Sequence, residues 1–301
     1  MAKILVADGM EKSAIDKLTA AGHEIVVKFY EPEVLGEALK DFDCVVVRSA
    51  TKVRQPHIDI AKTGKLKLVI RGGVGVDNID VKYAEDNGIT VKNTPMASSA
   101  SVAECAIGHM FCIARYLHIA NHTMRLGKWE KKHYEGIELG GKTLGVVGFG
   151  RIGREVAKRA KALGMTIQFA DPFIDGDVEG AKKLEFDQLL STSDFITFHI
   201  PGNKDKSPVV GAAEFAKMKD GIYLVNTARG GVIDENALCD ALDSGKVAAA
   251  ALDVFTEEPS KNERLYTHSK ISLTPHIGAS TAEAQERIGE EIVDIITNFF
   301  K

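Results

Sequence analysis

Three short stretches in the C-terminal half hold side chains that could bind a carboxylate and move a proton. In V-N-T-A-R-G-G, Arg229 follows an apolar, β-branched run. A guanidinium there can grip a carboxylate with two parallel hydrogen bonds at fixed geometry. In L-T-P-H-I-G-A-S-T, His276 follows another such run, and a histidine oriented by a carboxylate is the usual means of moving a proton near neutral pH. In A-L-D-V-F-T-E-E-P, Asp253, Glu257 and Glu258 offer that carboxylate; physics alone favours Glu258 over Glu257 only slightly. Singly, each has an ordinary reading as a surface cation, a loop histidine or an acidic turn. Together they gain weight, because each stands just past a strand-like run and open parallel sheets bind ligands beyond the carboxyl ends of their strands.

Two stretches in the N-terminal half add to this set. R-G-G-V-G-V-D-N-I-D, from Arg71 to Asp80, is a glycine-rich turn off a strand that could present N–H groups to a carboxylate. V-V-V-R-S-A-T-K-V-R puts Arg48 at another strand end, with Lys52 and Arg54 close by. Cations at two strand ends suggest a second anionic group on the ligand, although ordinary solvated charge explains them equally well.

The stretch that gives these residues a frame runs from Thr143 to Asp171. It reads T-L-G-V-V-G-F-G-R-I-G, then an amphipathic helix, then M-T-I-Q-F-A-D. Gly148 lets the chain turn off the strand, Gly150 leaves room for a pyrophosphate, and Gly153 lets the helix lie close to the sheet. The first helical turn supplies free N–H groups and the positive end of the helix dipole, an anion site. Asp171 is placed to accept hydrogen bonds from a ribose diol, which favours NAD over NADP. A lone G-x-G-x-x-G is weak; flanked by two strands, a helix and this acid it reads as a dinucleotide site.

Strand-like and helix-like runs alternate on both sides of this stretch. Strands are expected at Lys3–Ala7, Glu24–Phe29, Cys44–Arg48, Leu66–Ile70 and Ile89–Val91, and again from Leu144 through Leu273. Nearly continuous apolar strands between helices imply parallel sheets covered on both faces. The fold class is therefore α/β, with two doubly wound parallel-sheet domains: a flavodoxin-like substrate domain (residues 1–97 and 280–301) and a Rossmann NAD-binding domain (98–279). Ser98 to His118 reads as one long helix, apolar over much of its surface, crossing between domains and contributing to a dimer interface.

Length and composition agree with this frame. The chain has 301 residues, 45% hydrophobic and 27% charged, with a net charge of -4. That leaves no global basic field for nucleic acid or membrane. No stretch approaches a membrane span, and no signal peptide fits the N-terminus. The four cysteines lack metal or disulfide spacing, so no metal is expected and a cytoplasmic address follows.

These motifs, with R-S-A-T-K-V, G-V-D-N-I-D, G-K-W-E-K-K and N-T-A-R-G-G-V-I-D-E, resemble the D-isomer-specific 2-hydroxyacid dehydrogenases over essentially the whole chain. The resemblance implies NAD-dependent oxidation of a small 2-hydroxy acid. His276 would be the acid/base and Glu258, the glutamate directly before proline, its partner; Arg229 would bind and polarise the 2-oxo acid. Cofactor contacts would carry over to Arg151 and Ile152 at the pyrophosphate, Asp171 at the ribose and Asp253 at the nicotinamide carboxamide. Val74, Ile200, Thr227, Ala228, Gly278 and Ala279 would line the same cleft. Arg48 and Arg71 match the anchors for a substrate phosphate, with Gly73, Val74 and Gly75 beside them. Lys131 or Lys132 would reach that phosphate from a neighbouring subunit, which implies a homodimer. The segment H-I-P-G-N-K-D, from His199 to Asp205, departs from the family's pattern on the adenine side. The regulatory domain that many phosphate-specific members carry after this point is not expected. Rival readings are reduction of an unphosphorylated 2-oxo acid, or nucleotide sensing without catalysis.

Overall fold

The computed structural model describes residues 1–203, 205 and 207–301, which form two units: Met1–Ser99 with Ala279–Lys301, and Ala100–Gly278. Lys204, in the H-I-P-G-N-K-D segment, lies outside the described residues.

The first unit is a five-stranded parallel sheet in the order β2-β1-β3-β4-β5, built from Lys3–Val6 (β1), Glu24–Val27 (β2), Cys44–Val47 (β3), Leu68–Arg71 (β4) and Thr90–Asn93 (β5). This is the flavodoxin-like order. Both faces of β3 are apolar: Val45 and Val47 join one core with Leu35, Leu39 and Val69, while Cys44 and Val46 join another with Leu18, Ile288 and Ile292. Alternating side chains of a strand point to opposite faces, so this covering requires helices on both sides. The C-terminal helix, Ala282–Phe299 (α12), supplies part of one layer. It packs on Lys12–Ala20 (α1) so closely that a Cβ on Gly289 would stand 2.9 Å from Ala14 Cβ.

The second unit has a seven-stranded parallel sheet in the order β12-β11-β10-β9-β6-β7-β8. Its strands are Thr143–Val147 (β6), Thr166–Ala170 (β7), Lys182–Lys183 (β8), Phe195–Phe198 (β9), Ile222–Asn226 (β10), Val247–Leu252 (β11) and Ile271–Leu273 (β12). The order reverses between β6 and β9, the switch point where doubly wound sheets bind nucleotides. Between β10 and β11 the register shifts after Ile222: Ile222 pairs with Val247 but Tyr223 with Ala249, so Ala248 is an extra residue.

The long helix expected from Ser98 to His118 is two helices, Ser99–Ala114 (α5) and Leu117–Arg125 (α6). The break is at Tyr116, whose φ of 56° is left-handed. The carbonyls that would have continued α5 are taken instead from outside the helix. The Ile137 N–H donates to Ala114 O at 2.9 Å, and His118 Nδ1 lies 3.2 Å from Cys112 O. The apolar pattern runs on through the break, which is why the sequence conceals it. A 3-10 turn at Lys131–His133 follows α6, and a short helix, Glu263–Thr267 (α11), precedes β12; neither shows in the periodicity. Among the described residues no helix is long and apolar enough to cross a membrane. The four cysteines are free thiols.

Candidate active site

Most strands of the second sheet end on one rung. Val147 pairs with Phe198, Phe198 with Asn226, Asn226 with Leu252, and Leu252 with Leu273; Val147 also pairs with Ala170 on its other side. The residues that follow therefore leave from a single edge: Gly148, Asp171, His199, Thr227 to Arg229, Asp253, and Thr274 to His276.

His276 and Glu258 meet at this edge. His276 Nδ1 lies 2.8 Å from Glu258 Oε2, and Glu258 Oε1 accepts the Phe255 N–H at 3.2 Å. Both side chains are 37% exposed, so a small molecule in solution can reach them. Burial works to raise the Glu258 pKa, but the hydrogen bond and charge of His276, the Phe255 N–H and the charge of Arg229 outweigh it. The carboxyl therefore lies below its ordinary range and is ionised at neutral pH. An ionised carboxylate accepts, so His276 Nδ1 carries a proton and donates it to Glu258. The backbone of His276 is left-handed, with φ of 53°. Such a conformation is uncommon for a residue other than glycine and is held only by its surroundings.

Arg229 is presented by a turn built on Asn226, 2% exposed at the end of β10. Asn226 Oδ1 accepts the Ala228 N–H at 3.1 Å, and its Nδ2 donates to Arg229 O at 3.0 Å. The Arg229 guanidinium donates to Ala228 O at 2.6 Å. The next residue, Gly230, lies against the segment leading to Glu258, where a Cβ would stand 1.7 Å from Phe255 O. The turn bearing Arg229 and the loop bearing Glu258 are thus pressed together.

Asp253 holds the loop that bears His276. It is 1% exposed. Its Oδ1 accepts the Thr274 hydroxyl at 2.6 Å and the Ile277 N–H at 2.8 Å, and its Oδ2 accepts the Gly278 N–H at 2.8 Å. Cys105, His109 and Asp253 bring ligand-type atoms within 4.8 Å of one another. Burial, followed by the charge of Asp253, pushes the Cys105 thiol up to about 12, so it stays protonated in this cluster.

The glycine turn fits a dinucleotide. Gly148 has φ of 88°, and a Cβ there would come 2.5 Å from His199 O; at Gly153 one would come 2.2 Å from Gly148 O. Gly150 faces open space within 4 Å, on the side where a pyrophosphate must lie. Among the described residues no N-cap side chain bonds the start of the following helix, Arg151–Ala162 (α7), which leaves its first N–H groups to a ligand. Arg151 is exposed and Ile152 half-buried on that first turn. Asp171 is fixed from both sides, Oδ2 accepting the Phe149 N–H at 2.8 Å and Oδ1 the Phe173 N–H at 2.9 Å. At the neighbouring strand ends, Thr227 Oγ1 and His199 Nδ1 are buried with no hydrogen-bond partner among the described residues. Buried polar atoms are rarely left so unless a ligand or water completes them. Ile200 and Ala228 are half-buried beside them, and Gly278 is buried on the Asp253 carboxylate.

In the first unit, Arg48 and Arg71 stand at adjacent strand ends, since β3 and β4 pair Val47 with Arg71. The Arg48 N–H donates to Asp8 Oδ2 at 2.6 Å, and Asn78 Nδ2 donates to Arg48 O at 2.6 Å. The Arg71 guanidinium folds over the following turn and donates to Gly72 O at 3.3 Å. That turn is tied down at Gly73 O by the Thr94 N–H, 3.1 Å away, and at Val74 O by Asn93 Nδ2, 2.6 Å away. Gly75 follows, half-buried. Ala279 begins the return to this unit, its carbonyl accepting from Gln285 Nε2 at 3.0 Å. Lys131 and Lys132 are exposed on the 3-10 turn of the second unit.

Sequence reasoning passed over His199, Asn226, Thr274 and His109. The first could have been found from its place directly after an apolar strand. Burial drives the His199 pKa down to about 3, so the ring is neutral, and its Nε2 lies 2.9 Å from Thr197 Oγ1.

The model of the D-isomer specific 2-hydroxyacid dehydrogenase NAD binding domain matches residues 107–278. The chain belongs to the D-isomer specific 2-hydroxyacid dehydrogenase family, and the matched residues are its NAD-binding domain. Among curated relatives, the D-3-phosphoglycerate dehydrogenase of Archaeoglobus fulgidus is 46% identical over 99% of this chain. This chain spans 57% of that relative, and about half the length of several others it matches. The hydroxypyruvate reductase of Thermotoga maritima is 46% identical over 98% of this chain and 97% of its own length. Among solved structures, the NAD-dependent formate dehydrogenase from Staphylococcus aureus in complex with NAD superposes with a TM-score of 0.89. It is 30% identical and covers 99% of this chain and 96% of its own.

Proposed function

We propose that this protein oxidises 3-phospho-D-glycerate at C2 to 3-phosphohydroxypyruvate with NAD, the reaction that opens the phosphorylated route to serine. The observation that carries this reading is the His276–Glu258 pair, 2.8 Å apart on the same strand-end edge as the glycine turn.

NAD supplies the hydride acceptor. As the C2–H electron pair leaves with the hydride, His276 Nε2 takes the C2 hydroxyl proton and the C2=O bond forms. Glu258 stabilises the resulting imidazolium. Arg229 holds the substrate carboxylate in a bidentate grip, fixing which face of C2 is presented. In the first unit, Arg48 and Arg71 supply charge for the phosphate, and the Gly73–Gly75 turn supplies N–H groups. Asp171 accepts from the adenosine ribose, and the first turn of α7, at Arg151 and Ile152, receives the pyrophosphate. In the reverse direction protonated His276 returns its proton to the developing alkoxide.

A homodimer is part of this reading. Phe111, Leu117, Met124, Leu126 and Trp129 expose apolar surface along α5, α6 and the segment after them, with Trp129 79% exposed. Exposed apolar side chains on successive elements suit an interaction surface. Lys131 or Lys132 would then reach the partner's substrate phosphate. Four free thiols and the lack of a membrane-crossing helix among the described residues support a cytoplasmic address.

A second reading, reduction of hydroxypyruvate or glyoxylate by the same residues, is favoured by the end-to-end match to the Thermotoga maritima reductase. One assay separates the two: NADH formation with 3-phosphoglycerate, glycerate and lactate, beside NADH oxidation with hydroxypyruvate and glyoxylate. The first reading expects the highest kcat/KM with 3-phosphoglycerate. Equal or better use of the unphosphorylated acids would transfer the assignment to the second.

A further inference from the structure

We propose that His109 is a positioning residue for His276, acting through Thr274 and Asp253. The proposal rests on the reading of His276 as the acid/base.

His109 lies on α5, 4% exposed. Its Nε2 is 2.9 Å from Thr274 Oγ1, and Thr274 Oγ1 is 2.6 Å from Asp253 Oδ1. A hydroxyl has one proton. Thr274 donates it to the carboxylate, so His109 Nε2–H must be the donor to Thr274. Burial, opposed by the charge of Asp253 and assisted by that of His118, lowers the His109 pKa, which keeps one proton on the ring. Its Nδ1 is then an acceptor, with Ser272 Oγ 3.4 Å away. Direction is therefore defined along the whole chain of bonds, from His109 through Thr274 to Asp253.

Asp253 transmits it to the loop. The N–H groups of Ile277 and Gly278 both end on its oxygens, and the His276 N–H is taken by Thr274 O at 3.0 Å. The residues flanking His276 are thus tied to one carboxylate, and His276 between them holds its left-handed backbone. Glu258 orients the ring; the His109–Thr274–Asp253 chain sets where the ring starts from. The cluster of Cys105, His109 and Asp253 needs no cation for this, because its thiol is protonated and its hydrogen bonds are already directed.

The test uses the full-length protein with His109→Leu and Thr274→Val, each paired with a conservative rescue, His109→Gln and Thr274→Ser. The expected result is a fall in kcat of about tenfold or more in Leu and Val. NAD affinity and Tm should stay near wild type, and Gln and Ser should restore most of the rate. Unchanged kcat in both disruptive variants overturns the proposal, as does a loss that Gln and Ser fail to restore. A second readout needs no turnover: amide hydrogen exchange of the peptide spanning 274–279 should speed up in Leu and Val while exchange in β1 and α12 does not change. Unchanged exchange in that peptide also overturns the proposal. If wild type oxidises no 2-hydroxy acid, the functional reading fails by itself, and the exchange experiment still decides whether His109 holds the loop.

Discussion

Glu258 Oε2 lies 2.8 Å from His276 Nδ1 although the two residues come from loops that follow different strands, β11 and β12. Replacing His276 with alanine should lower turnover by about a hundredfold or more, the usual worth of a positioned acid/base. NAD affinity, measured by fluorescence titration, should stay near wild type. An alanine variant that keeps most of its kcat would remove His276 from the chemistry.

Arg48 stands one residue past β3, beside Arg71 at the end of β4. Arg48→Ala should raise the KM for 3-phosphoglycerate by about tenfold or more, the scale of losing a charge-assisted contact, and leave that for glycerate nearly unchanged. Steady-state kinetics on both acids reads the difference directly; equal losses would assign Arg48 to something other than the phosphate.

Asp171, pinned by the Phe149 and Phe173 N–H groups, is the acid proposed to accept from the ribose. Asp171→Ala should weaken both cofactors by loosening the turn, yet it should narrow the preference for NAD over NADP. The informative quantity is the ratio of the two kcat/KM values. A ratio equal to that of wild type would place cofactor selection elsewhere.

His199 gives a dependence on pH whose sign is fixed. Its pKa falls from 6.5 to about 3 through burial. Below about pH 6.5 the unfolded chain takes a proton that the native ring refuses, so stability declines as pH drops through that window, by at most about 1.4 kcal/mol per pH unit. Urea midpoints of wild type and His199→Asn at pH 7 and pH 4.5 check this. The variant should lose less between the two values; identical losses would show that other groups carry the acid sensitivity.

The parallel strands could be read from the chain because buried strands are short apolar runs, and Gly148, Gly150 and Gly153 follow one of them at a spacing that few other structures need. Arg229 and His276 stood out for a related reason, being polar residues just past such runs, whereas Glu258 was set apart from Glu257 mainly by the family resemblance. The support beneath them was not. His109 falls within an apolar helical pattern and reads as one more core position, and Thr274 reads as a spacer before proline. What each does depends on a partner more than twenty residues away, as in the bonds from Thr274 to Asp253 and from His109 to Thr274. The break at Tyr116 was hidden likewise, because what ends α5 is Ile137, a residue from beyond α6.

The extra residue at Ala248 lies at the start of β11, well before the edge that carries the site. Past it the pairing is regular, Leu252 lies opposite Asn226, and Asp253 follows at the rung from which Thr227 also departs. Deleting Ala248 would let Val247 and Ala249 follow one another opposite Ile222 and Tyr223, so every pair beyond keeps its partner. Asp253 would keep its place against the Ile277 and Gly278 amides. A single alanine in the same strand that leads to Asp253 is thus slack, taken up within β11 before the edge that carries the site begins.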